Sequence, residues 1–343
     1  RTPAPDKATA ASTSPLVTTE RRSQGASLVF IDESGRRVAD LTTTGGLAII
    51  DRQPSFSPNG KWVAFVSNRD RDRPDATNLW VARARAGGRL YRLTSSDNVD
   101  RDPVWTPTGD AIIFSSDRSG SFDLFRLAVV ERGDELVAAG NPISLVAIDD
   151  QALAPSVSPD GSRLAFMRVK ADGQSSLWMS SAIRRGQPEQ LTRGPADVTP
   201  TFAPDGKSVS FAARLPGRSD ADIFAVDLRG NGKHVVISEP DADQSGPRFS
   251  ADGRVLFATA VYRSQNSGQP VLASVVAAVL GKKPKWRALH DPAFVESRVG
   301  VAIAPGGVAV AALNRNAEYG PALRRALERA LRDAAAEQRQ TTP

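Results

Sequence analysis

The sequence has no cysteine, two histidines, two methionines and three tyrosines. Without thiols there is no disulfide, no cysteine nucleophile and no cysteine-based zinc site. The histidines, His234 and His290, fall in outer strand patterns of different repeats, too few for an imidazole metal centre or a Ser-His pair. G-x-S-x-G and G-x-x-x-x-G-K are also missing, so neither a hydrolase elbow nor a phosphate loop is present. Long apolar runs are lacking too. The longest, Val271 to Leu280 (VLASVVAAVL), falls well short of the ~20 residues that cross a bilayer and reads as a buried strand. No signal peptide is visible, and the start at Arg1 reads as removal of a leader, tag or upstream domain. Neither sign of charge is blocked. The net charge of +6 is scattered and reads as composition bias rather than a nucleic-acid footprint.

What is present is a core. Hydrophobic residues make up 40% and charged residues 24%, the balance of an ordinary globular chain. The stretch Pro54 to Ser67 (PSFSPNGKWVAFVS) organises it. Pro58-Asn59-Gly60 is a turn signal, with Pro presetting φ and Gly relieving the exit. Trp62 to Val66 then forms an apolar run of strand length. An isolated hairpin is marginal in water, so the unit must repeat. It recurs as PVWTPTG at Pro103, PSVSPDG at Pro155, PTFAPDG at Pro200 and PRFSADG at Pro247, with a degenerate VGVAIAPGG ending at Gly307. The glycines Gly60, Gly109, Gly161, Gly206 and Gly253 lie 49, 52, 45 and 47 residues apart. A second strand follows each glycine. A third (LWVARA at Leu79, LFRLAV at Leu124, LWMSSA at Leu177, IFAVDL at Ile223) and a weaker fourth complete the repeat.

Four antiparallel strands at this period indicate a β-propeller blade. The expected fold is all-β: a six-bladed propeller with blades at about 54–96, 103–148, 155–194, 200–240 and 247–291. A sixth blade combines 297–313 with the chain start at 26–42, so that paired ends leave no open seam. Residues 1–25, rich in Ala, Thr, Ser and Pro, read as a disordered spacer. Residues 314–343 read as a C-terminal amphipathic helix and tail, with Leu323, Leu327 and Leu331 on one stripe. That stripe is expected to pack on the propeller, a partner-binding handle being the alternative.

The repeat core resembles the TolB-type propeller repeat. The segments carrying it are SPNGKWVAFVSNRD (Ser57 to Asp70), TPTGDAIIFSSDRSGSFDLF (Thr106 to Phe125) and SPDGSRLAFM (Ser158 to Met167). The resemblance covers roughly Ala26 to Leu313. It implies the propeller part of TolB without the small α/β domain that precedes it there. It also implies a periplasmic or outer-membrane-associated protein that binds a cell-envelope protein at one mouth of the propeller. A lipid anchor on a removed N-terminus fits the same setting.

Candidate site residues sit where each repeat enters its innermost strand. Acids stand at Asp51, Asp100, Asp102, Asp149, Asp150, Asp197, Asp241, Asp243 and Glu296, with Arg52, Arg101, Arg248 and Arg298 among them. They are expected to form a charged rim at one mouth of the channel and to bind a partner protein there. The competing reading is that each Asp caps a turn ahead of Pro. Asp117 to Gly120 and Asp70 to Asp75 resemble short cation loops but lack calcium-loop spacing, and read as hairpin turns. The five tryptophans read as inter-blade core. No catalytic residue, metal site or cofactor is expected, with calcium alone left open as a channel occupant. The expected role is a non-enzymatic scaffold. Its alternatives are a small-ligand or cation sensor, an enzyme using the channel, or the regulatory propeller of a multi-chain enzyme.

Overall fold

The computed structural model describes residues 16–22, 25–31, 37–43, 49–69, 76–218, 220–229, 232–238, 242–249, 253–263, 270–280, 285–288, 293–294 and 301–302. All the regular elements among them are strands. They group into six antiparallel sheets. The first sheet runs Asp51–Phe56, Trp62–Ser67, Asn78–Arg83, Leu90–Arg92. The second runs Asp100–Trp105, Ala111–Ser116, Asp123–Arg132, with Glu135–Ala138 and Ile143–Val146 both pairing on its long third strand. The third begins at Gln151–Val157, the fourth at Asp197–Phe202 and the fifth at Ala242–Phe249, each following the same order. A terminal sheet joins Val301–Ala302 to Leu16–Arg22, Gly25–Ile31 and Arg37–Asp40.

Side-chain alternation explains how the sheets stack. Trp62, Ala64 and Val66 face Trp105, Ile112 and Phe114 of the second sheet. Val63 and Phe65 point the other way, onto Leu28, Phe30 and Leu41 of the terminal sheet. Further apolar cores join second to third, third to fourth and fourth to fifth sheets. A strand buried on both faces reads as a continuous apolar run rather than an alternating one. WVAFVS and AIIFSS are fully buried for that reason. The sheets therefore follow one another face to face in sequence order, with the strand of each PSFSPNG-type segment innermost.

The repeated turn does two jobs. The Gly60 amide donates to the Ser57 carbonyl at 2.9 Å, and Gly109, Gly161 and Gly206 repeat the bond. Each of these glycines has a positive φ, which a Cβ would disfavour. Each turn proline also packs on the glycine of the next repeat: Pro58 on Gly109, Pro107 on Gly161, Pro159 on Gly206 and Pro204 on Gly253.

Three expectations need correction. Leu16–Arg22 was read inside a 1–25 spacer; it is a strand, pairing Leu16 with Ile31 through Arg22 with Gly25. The terminal sheet thus takes three strands from the start of the chain, and its C-terminal strand, Val301–Ala302, pairs on Leu16–Arg22. The acids Asp51, Asp100 and Asp197 do not sit in loops before the innermost strands but open those strands, opposite Ser67, Ser116 and Ala213. The C-terminal helix, residues 1–15, Asp70 to Asp75, His290, Glu296 and Arg298 lie outside the described residues.

Candidate functional site

The innermost strand of each of the first five sheets carries the same defect. Ahead of each proline, the residue Gln53, Asp102, Ala154 or Thr199 has φ between 50° and 55°, and Gly246 has φ 60°. Non-glycine residues there are strained by about 1–3 kcal/mol unless the surroundings hold them. The ladder skips at each point, between Arg52 and Ser55, Arg101 and Val104, Leu153 and Ser156, Val198 and Thr201, and Ser245 and Arg248. These are β-bulges, which free backbone groups and re-aim side chains.

The freed groups bond from one sheet to the next. The Asp102 amide donates to Gln53 Oε1 at 3.1 Å, and Gln53 Nε2 donates back to Asp102 Oδ1. The Ala154 amide donates to Asp102 Oδ2 at 3.3 Å, and the Gly246 amide donates to Thr199 Oγ1 at 3.3 Å. Ala154 has no side-chain acceptor to offer Thr199, so this relay is interrupted there.

The rim residues separate into two groups. Asp51, Asp100, Asp150, Asp197 and Asp243 are tied into the frame. Arg69 donates to Asp51, Arg118 to Asp100 at 2.8 Å and Arg168 to Asp150 at 2.6 Å. Each arginine lies 18 residues after its acid. The second strand of a sheet runs back beside the first, so that interval returns the cation to the acid. In the fourth sheet that position is Leu215, and Lys233 comes from the fourth strand instead, 3.2 Å from Asp197. Lys233 lies 4.1 Å over Phe224 and 4.9 Å over Phe211, much as Arg118 lies over Phe114 and Phe125. Asp243 pairs with Arg214 of the neighbouring sheet at 3.3 Å. Asp100 further accepts Thr94 Oγ1 at 2.6 Å, which staples the second sheet to the first. Burial raises the Asp100 pKa, opposed by Arg118, Thr94 and Ser116.

The second group faces the centre. Arg101 Nε lies 3.3 Å from Asp102 Oδ2 without hydrogen-bond geometry. Arg248 donates to Thr201 Oγ1 at 3.0 Å and to the Pro247 carbonyl at 2.8 Å. The Arg52 side chain makes no hydrogen bond or ion pair with any of the described residues, while its backbone lies in the ladder opposite Val66. Arg52 and Arg248 are exposed to water, yet desolvation is the main cause lowering both guanidinium pKa values. Arg101 lowers Arg52 further, and Asp102 opposes the shift in both arginines. The Asp102 pKa is raised by desolvation, against the pull of Arg101, the Ala154 amide, Arg248 and Arg52. Arg248 belongs to the fifth sheet and Asp102 to the second. Their fields meet because the innermost strands surround a common centre.

Two features escaped the reading of the sequence. The aspartate–arginine interval of 18 was visible in three repeats. Gln53, the partner of Asp102, carried no local signal at all. Among the described residues no group of three or more His, Cys, Asp or Glu could hold a metal ion. Within the same residues no helix is long and apolar enough to cross a membrane. His234 is exposed on the outer strand Lys233–Ile237.

Antiparallel sheets stacked face to face, each with its repeat's first strand innermost, define a β-propeller. More particularly, the chain is a TolB-like propeller. It is 25% identical over 223 residues to the Tol-Pal system protein TolB of Francisella tularensis, covering 62% of this chain and 49% of that protein. It is also 25% identical over 221 residues to the uncharacterized peptidase YuxL of Bacillus subtilis, covering 63% of this chain and 30% of that one. TolB from Acinetobacter baumannii superposes with a TM-score of 0.61 at 17% identity, over 84% of this chain and 66% of that one. The chain thus spans half or less of the curated relatives it matches. No family model matches it.

Proposed function

We propose that this chain is a closed six-bladed propeller that works as a non-enzymatic scaffold of the cell envelope, binding another protein at the charged mouth of its channel. Export to the periplasm, with or without a lipid anchor, belongs to the same reading. The likeness to TolB supports it. The observation that carries it is the division of the rim. The frame consumes Asp51, Asp100, Asp150, Asp197 and Asp243 in ion pairs. Arg52 and Arg248 are exposed on the innermost strands outside these pairs, and Arg101 stands beside the bulge residue Asp102. Charges that a fold does not use for itself, on a rigid scaffold, are where recognition is built. Glu296 and Arg298 extend the proposed rim.

The test is recovery of a partner from envelope extract by wild-type protein and by the double reversal Arg52→Glu with Arg101→Glu. The proposal expects the recovered protein to be lost on reversal while thermal stability holds. Unchanged recovery sinks the mouth as the binding site. A second reading follows from the similarity to YuxL: a propeller serving a peptidase carried elsewhere on the same or another chain. Peptidase activity that needs this chain for substrate selection would favour it.

A further inference from the structure

The first and second sheets depart from the repeat at the same place. The third strand of the second sheet pairs with Ala111–Ser116 from Asp123 to Ala128. It then runs on as Val129 to Arg132 and folds back as Glu135–Ala138. Gly133, with φ 61°, makes that turn. The first, third and fourth sheets join the same two strands by 84–89, 182–188 and 228–232, and none of these connections builds a strand. The extra hairpin does not stand in solvent. It continues the second sheet over the end of the first.

What it covers is equally exceptional. The cross-strand pair at that end of the first sheet is Trp62 with Arg83. Its counterparts are Ala111 with Ala128, Arg163 with Ser181, Ser208 with Asp227 and Val255 with Val279. An indole at this position needs cover and an acceptor for its N–H. The hairpin supplies both. Trp62 Nε1 donates to Glu131 Oε1 at 2.8 Å. Leu136 and Val129 share one apolar core with Trp62 and Tyr91. Arg83 lies 4.4 Å over the indole and donates to Asp134 Oδ1 at 3.1 Å. Tyr91 meets Trp62 edge-on at 6.1 Å, and its hydroxyl donates to the Asp134 carbonyl at 3.2 Å. Trp62 is left 1% exposed and Leu136 3%.

These contacts are unequal. Arg83–Asp134 and Arg89–Glu135, the latter at 3.7 Å, each keep an exposed side chain. Such pairs contribute little and serve to orient the tip. The buried Leu136 and the indole bond to a carboxylate hold it. The same seam is tied at two more levels. Trp105 Nε1 donates to the Ser55 carbonyl at 3.0 Å. Beyond it, Thr94 Oγ1 donates to Asp100 Oδ2 at 2.6 Å and the Asp100 amide to the Thr77 carbonyl at 2.8 Å.

We propose that the 129–138 hairpin is a strap that locks the first and second sheets into one unit, so that the stack opens at its other seams. Local opening has a free energy set by the buried contacts that must break, and the strap adds such contacts to one seam.

The test is native-state hydrogen exchange of the full chain, read amide by amide, in wild type, Glu131→Ala, Leu136→Ala and Asp134→Ala. Glu131 and Asp134 are exposed, so those two variants fold whatever the strap does. In the wild type the slowest amides of Trp62–Ser67 and Ala111–Ser116 should share one opening equilibrium. Glu131→Ala should speed exchange in the first sheet and the hairpin about tenfold, the worth of one hydrogen bond to a charged group. Leu136→Ala should speed it about a hundredfold. Asp134→Ala should change it by about fivefold at most, because the Tyr91 bond runs to the backbone and survives. The third and fourth sheets should keep their wild-type rates throughout. Unchanged first-sheet rates in both Glu131→Ala and Leu136→Ala overturn the inference. So does a rise of equal size in every sheet, which would make the hairpin a contributor to global stability and not a lock on one seam.

Discussion

Asp100 and Asp102 are separated by one arginine, and their surroundings differ at every point. Asp100 opens the innermost strand, is fully buried, and meets Arg118, Thr94 and a backbone amide bond from its own nitrogen to Thr77. Asp102 sits on the bulge, turned toward the centre, and meets Gln53, Ala154 and a loose ion pair with Arg101. Burial raises the pKa of both. For an acid raised in this way, the stabilising contribution is complete below the ordinary aspartate range and is lost as pH rises through the raised value. Arg118 is the first of the partners that oppose this rise at Asp100, and removing either half of the pair strands the other. Asp102 shares its charge with several weaker neighbours. A bulge of one residue thus divides one tripeptide between structure and recognition.

The largest expected effect breaks the frame. Asp100→Ala leaves Arg118 uncompensated and should cost about 3–5 kcal/mol in denaturant unfolding. Asp102→Asn keeps the left-handed preference and one of the two acceptors, and should cost about 1 kcal/mol. Equal losses in the two variants would erase the distinction between them. A smaller effect probes the fourth sheet, where Lys233 replaces the usual arginine. A Cβ on Gly194 would overlap the Asp197 carboxylate that accepts the Gly194 amide at 3.1 Å. Gly194→Ala should therefore cost about 1–3 kcal/mol, and a melting temperature equal to wild type would show that the Asp197–Lys233 pair is dispensable. The smallest effect lies in the exposed turns. Asp160 accepts Ser158 Oγ, the Ser162 amide and Ser162 Oγ, which lower its pKa to about 2. Its contribution is present above the ordinary value near 3.9 and is lost as pH falls toward about 2. Asp160→Asn should flatten the stability profile across that window, measured by urea midpoints; an unchanged slope would place the acid sensitivity elsewhere.

Much of the frame was legible because its causes are local. Pro, Gly and the following apolar run specify a turn and a strand whatever surrounds them, and their recurrence announces stacked sheets. Leu16–Arg22 was not legible. Its Thr-rich composition resembles a spacer, and it becomes a strand by pairing with Gly25–Ile31 and Val301–Ala302. The added hairpin strand Glu135–Ala138 was missed for a similar reason, since RGDELVAAG carries little apolar pattern of its own. At the site, acids and bases before each proline were visible as a set. Their division into frame and channel was not, because burial of Asp51 and exposure of Arg52 differ only by which side of the strand each residue takes.

The sequence by itself determined the repeat, the turn glycines, the apolar faces and the positions of the charges. It did so because each depends on residues within a few places along the chain. Tertiary structure alone decided that Gln53 meets Asp102, that Lys233 stands in for an arginine, and that Arg248 shares a field with Asp102. Gln53 and Asp102 come from different sheets, and Lys233 and Asp197 from opposite edges of one sheet, so no local pattern encodes either contact.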